Sequence, residues 1–110
     1  MLTSLLMAAQ LAAAPIACDA RSGWNAGRAG QPVPEACRGD DYREAHRLGE
    51  SLKQLQDEHA RIEAELPTLA PPAQASARRR QRQLDLDLEA IRGLATIKAW
   101  PLDPVPASLP

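Results

Sequence analysis

The feature that most restricts how this chain can fold is a run of apolar side chains at alternating spacings of three and four: Ala45, Leu48, Leu52, Leu55, His59, Ile62 and Leu66. Residues three or four apart share one side of an α-helix, so the run writes an a/d seam over about three heptads. It predicts a helix over residues 40–66, about 40 Å long at 1.5 Å per residue. Asp41 and Glu44 have the offset of a capping box, and Asp40 adds negative charge at the positive end of the helix dipole. Glu50–Lys53 and Asp57–Arg61 have helical spacing on the outer side. Gly49 lowers helix stability by about 1 kcal/mol relative to Ala, which predicts close packing there.

Pro67 stops this helix, and residues 67–76 read as a Pro-rich connector. A second helix follows over residues 77–99, with Leu84, Leu88, Ile91 and Ala95 as its seam and Leu86 and Leu94 widening the stripe. Two periodic segments joined by a short connector predict an all-α fold, an antiparallel two-helix coiled-coil hairpin. Pro101, Pro104, Pro106 and Pro110 make residues 100–110 a disordered polyproline-like tail.

Ahead of the hairpin, residues 18–39 carry a different signal: Cys18 and Cys37 bracket a segment rich in Gly and Pro. Gly23, Gly27 and Gly30 are spaced four and three apart. On a short helix they would face one way and admit another backbone; in turns they would supply positive φ. Phosphate-binding glycine motifs need a preceding strand and a Lys-Ser/Thr ending that are missing here. Trp24 is the natural anchor beneath such a loop. If the cysteines pair, the closed loop adds about 3 kcal/mol in the chain-entropy model. The predicted arrangement is a disulfide-stapled cap, loop or helix, with Trp24 and the glycines against the helix start near Tyr42 and Gly49.

Residues 1–17 contain no charged side chain and have an apolar centre, like a signal peptide that lacks its basic start. Export to the periplasm or cell envelope is the expectation, with a retained apolar segment as the alternative. Pro15-Ile16-Ala17 before Cys18 partly resembles the motif ahead of a lipidated cysteine. Lipid and disulfide compete for the same sulfur, and two free thiols are the third option. Contact with a membrane is expected only if Cys18 is lipidated.

The pattern C-x4-G-W-x2-G-x2-G-x6-C, followed by Tyr42, His46 and Gly49, resembles the C-terminal half of an uncharacterised family of small bacterial envelope proteins, domain of unknown function 2799. The correspondence covers residues 18–66 and continues loosely into the second charged segment. Val33 stands where that family has an aromatic and His46 where it often has Tyr. The resemblance implies an envelope location and a charged, heptad-like tail; it implies no activity.

The balance of 13 Lys and Arg against 14 Asp and Glu gives no long-range pull toward nucleic acid or anionic membranes. Locally, Arg78, Arg79, Arg80 and Arg82 cluster. In the predicted hairpin they lie near Glu58, Glu63 and Glu65, and no aromatic residues interleave with them for base stacking. Interhelical pairing is expected there, with docking of an acidic partner or anionic lipid as the alternative, and no nucleic acid. His46 and His59 are thirteen residues apart, about 20 Å along a helix, too far to share a metal. Ser22, Ser51 and Ser76 belong to no nucleophile motif. No cofactor, metal or catalytic role is therefore expected. Two helices leave Leu86, Leu94 and Trp100 partly uncovered, which predicts a protein partner or self-association through the helices. The alternative is a redox-responsive binding module switched by Cys18 and Cys37.

Overall fold

A computed structural model describes residues 17–105. The segment expected to direct export lies, Ala17 apart, outside the described residues, as do residues 106–110 of the tail. Among the described residues there are three α-helices and no strand: α1 (Ala20–Arg28), α2 (Asp40–Glu65) and α3 (Pro71–Lys98). A single 3-10 turn, Leu66–Thr68, follows α2.

α1 starts where the Asp19 carboxylate accepts the Ser22 N–H at 3.3 Å, a bond that also holds the Asp19 carboxyl below its ordinary range. It ends at Arg28 with Ala29 as its cap, and Gly30 beyond, whose φ of +73° suits glycine, turns the chain so that the Gln31 N–H donates to the Ala26 carbonyl at 2.9 Å. A disulfide joins Cys18 to Cys37, their Cα atoms 5.1 Å apart. With Cys18 so bonded, its sulfur is not available to a lipid. Cys37 is buried with Ala26 and Tyr42, whereas Cys18 is exposed.

α1 lies across α2 with backbone against backbone. A Cβ added at Gly23 would fall on the Tyr42 carbonyl, at Gly27 on the His46 carbonyl, and at Gly49 on the Trp24 carbonyl. Only glycine permits that approach. Trp24, fully buried, then reaches past the crossing into a core with Ala45, Leu52, Leu88 and Ala95. Leu48, Leu55, Ile91 and Trp100 pack around it.

α3 returns along α2 in the opposite direction. Gln74 Nε2 donates to the Leu66 carbonyl at 3.0 Å near the turn, and Asp85 meets His59 Nε2 at 3.0 Å further along. Leu84 and Leu88 on α3 are buried, while Leu48, Leu55 and Ile62 on α2, and Leu66 just after it, are half-buried.

Several expectations change. α3 begins at Pro71, so the link after α2 is only residues 66–70 rather than 67–76. Pro71 and Pro72 occupy the first turn, where N–H groups have no helical partner and a fixed φ fits. α2 begins at Asp40 with Gly39 as its cap and no side-chain capping bond. Asp41 is therefore already helical, and both aspartates act only through the dipole. Leu86 does not widen the buried stripe; it is 61% exposed. On α2 Lys53 pairs with Asp57 at 2.7 Å, and neither of the two expected pairs forms among the described residues.

The tail departs most. Ala99 takes a left-handed φ of 59°, and the Trp100 N–H closes back on the Ala95 carbonyl at 2.9 Å. That turn sends the chain across α1. Trp100 stacks on Trp24 with ring centroids 5.1 Å apart, Trp24 Nε1 donates to the Pro101 carbonyl at 2.7 Å, and Arg28 Nη1 donates to the Asp103 carbonyl at 2.7 Å. Residues 100–103 are thus a strap on the folded base, because ring stacking and two hydrogen bonds from α1 hold them.

Candidate functional site

The residues expected to meet a partner separate into three groups. Trp100 is half-buried on Trp24 and is structural, so it is not the uncovered apolar position the two-helix picture required. Leu94 is half-buried at the rim of a groove of about 370 Å³ between the end of α3 and the start of α2, beside Asp41, Glu44, Leu48 and Lys98. Leu86 stands clear of the core on the outer side of α3.

Helical geometry explains that division. At 3.6 residues per turn each position advances 100°, which puts Leu86 about 200° from the seam of Leu84, Leu88, Ile91 and Ala95. The same outward line runs through Ala90, Gly93 and Ile97. Ile97 is 82% exposed, and a Cβ added at Gly93 would meet nothing within 4 Å. Sequence reasoning missed Ile97, although its place four residues after Gly93 and eleven after Leu86 carries the same helical period.

The arginines divide as well. Arg80 makes a two-point bond with Glu58 across the hairpin, Nε to Oε2 at 2.6 Å and Nη2 to Oε1 at 2.9 Å. The pairing holds the Glu58 carboxyl below its ordinary range and raises the Arg80 guanidinium. Arg79 turns to the Ser76 hydroxyl at 3.0 Å. Arg78 and Arg82 are exposed and form no ion pair among the described residues. Of the cluster, interhelical pairing with an acid takes up Arg80 alone.

At the base, Arg28 sits 5.7 Å from the centroid of the Trp24 ring and donates to Asn25 Oδ1 at 3.0 Å as well as to Asp103. Burial lowers its guanidinium from the ordinary range. This clamp was not legible beforehand, since Arg28 and Asp103 are far apart in the chain. His46 is buried with Nε2 against the Gln31 carbonyl, and His59 lies between Glu63 and Asp85. Both histidines are engaged in the packing of the helices.

Among the described residues, no helix is long and apolar enough to cross a membrane, and no group of three or more His, Cys, Asp or Glu is placed to hold a metal. Comparison of the chain with protein-family models, with curated proteins and with solved structures finds no match in any of the three. The surface that stands out is therefore the outer side of α3: large apolar side chains in open solvent, flanked by unpaired charge.

Proposed function

We propose that the protein is a small exported envelope protein that acts by helix-mediated protein–protein interaction, presenting the outer face of an α2–α3 coiled-coil hairpin from a disulfide-stapled base. The observation that carries this reading is the exposure of Leu86 and Ile97, at 61% and 82%, on the side of α3 turned away from the core. Large apolar groups aligned on one exposed line favour burial against another surface. The disulfide supports an oxidising compartment, and the resemblance to the envelope family supports the periplasm. In this reading the protein is a scaffold or adaptor and performs no catalysis.

The test is photo-crosslinking in cells from a reactive residue placed at Leu86 or Ile97, with Arg61 on α2 as the control position. Protein adducts from the α3 positions and none from Arg61 are expected. Adducts from neither α3 position would overturn the reading.

A redox-responsive binding module is the second reading, favoured by one observation: Cys18 is exposed, so the bond is open to an attacking thiolate. It requires mild reductant to change what the protein captures. Unchanged capture after reduction leaves the bond a staple.

A further inference from the structure

We infer that the partner of α3 is a second copy of this chain, docked antiparallel along the stripe Arg78, Arg82, Asp85 and Glu89. The inference deepens the proposed function and rests on it. These four residues are spaced four, three and four apart and are all exposed. They form one line along the helix, beside Leu86. Read along the helix, the line is positive, positive, negative, negative.

Within one chain two of the three neighbouring pairs on this line are unfavourable, and only Arg82 with Asp85, at i,i+3, is of opposite sign. Arg78 and Arg82 are like charges at i,i+4, and so are Asp85 and Glu89. Arg78, Arg82 and Glu89 form no ion pair among the described residues, and Asp85 meets only His59, with 62% of its side chain exposed. The two halves are complementary to one another. A two-fold axis perpendicular to α3 near residues 83–84 sets Arg78 against Glu89 of the second copy and Arg82 against its Asp85, then repeats both pairs by symmetry. A parallel, in-register copy instead sets each charge against itself. The charge order therefore selects the antiparallel arrangement.

Shape agrees with charge. In that register Leu86 lies over the aliphatic stem of Arg82 of the second copy, an apolar contact that leaves the guanidinium free to pair. Gly93 falls opposite Ala75, and both are exposed and small, so the helices can approach closely at the two ends of the contact.

Sedimentation equilibrium of the purified, disulfide-bonded protein tests this with two variants. Arg78→Glu/Arg82→Glu makes the stripe wholly acidic, and Asp85→Arg/Glu89→Arg makes it wholly basic. The wild type is expected to form a reversible dimer that weakens with salt. Each variant alone should weaken it about tenfold or more, and an equimolar mixture should restore dimer as a heterodimer. Because Asp85 contacts His59, the single variants Arg78→Glu and Glu89→Arg repeat the swap with that contact intact, and circular dichroism checks that each is folded. A wild type monomeric up to about 1 mM, a dimer unmoved by the reversals, or a mixture of folded variants that stays monomeric overturns the inference. Adducts from Leu86 and Ile97 to a different protein, with a monomeric wild type, leave the interaction reading standing while this one falls. Absence of any adduct removes the interaction reading itself.

Discussion

The base of the molecule and the shaft of its hairpin pack by opposite rules. At the base, α1 meets α2 through glycines, so the contact is between backbones and admits no Cβ. The disulfide, the Trp24–Trp100 stack and the Arg28–Asp103 bond add further ties at this end. Along the shaft, α2 and α3 meet through leucine side chains with Leu84 and Leu88 buried, and their outer sides remain open. At the base the chain depends on a close approach that admits no larger side chain. Its two most exposed large apolar side chains, Leu86 and Ile97, stand instead on the shaft, which is held by side-chain layers.

The largest expected effect comes from the residue that joins the two regions. Trp24→Ala removes a fully buried side chain that spans the glycine crossing and the hairpin core, and should lower stability by about 4 kcal/mol in urea unfolding. Leu84→Ala, confined to the shaft, should lower it by about 3 kcal/mol. A smaller loss for Trp24 than for Leu84 would break the comparison.

Replacing both Cys18 and Cys37 by Ser should lower stability by about 3 kcal/mol while leaving the helical circular dichroism of the native state in place, since the glycine contact still positions α1. Loss of that native signal at low denaturant would show that the base depends on the staple alone.

Two alanine substitutions place the regions side by side. Gly27→Ala gains helix propensity but drives a methyl group into the His46 carbonyl, for an expected net loss of about 2 kcal/mol. Gly93→Ala meets open space on α3 and should gain about 1 kcal/mol. Equal signs in thermal melts would show that the contact at the base is looser than described. Ala99→Gly should also gain about 1 kcal/mol by relieving a left-handed alanine, thereby tightening the strap.

The smallest effects are in pH. Burial, and next the charge of Asp19, raise the Tyr42 phenol above its ordinary value. The folded chain thus holds that proton more tightly than the unfolded chain, so stability is full below about pH 10 and falls as the pH rises through it. The Asp19 and Glu58 carboxyls are held low, so their contribution is present above about pH 4.5 and disappears as the pH falls through their folded values. Tyr42→Phe should abolish the alkaline fall in urea midpoints and leave the acid fall. Replacing Glu58 by Gln should reduce only the acid fall, which locates that part of it in the shaft.

Much of the shaft could be read in advance because its information is local. Leu52, Leu84, Leu88 and Ala95 announce their burial by spacing, and a helix turns 100° per residue whatever surrounds it. The same arithmetic places Leu86 outward; counting it with the seam gave too much weight to hydrophobicity and too little to angle. At the ends, Pro71 and Pro72 look like breakers in the sequence, yet proline is suited to the first turn of a helix.

The base was legible only in outline. Trp24 and a cysteine pair signal a stapled cap, but Gly23, Gly27 and Gly49 serve close approach while Gly30 serves a left-handed turn, and their spacing is the same in either role. The helical periods, the break after α2 and the order of charge along α3 are written in the sequence, because each depends on neighbours within a turn or two. Only the tertiary structure decided that Trp100 closes over Trp24, that Arg28 reaches Asp103, and that Cys37 is buried while Cys18 is not. Those facts depend on contacts between residues distant in the chain, whose geometry exists only once α1, α2 and the strap have come together.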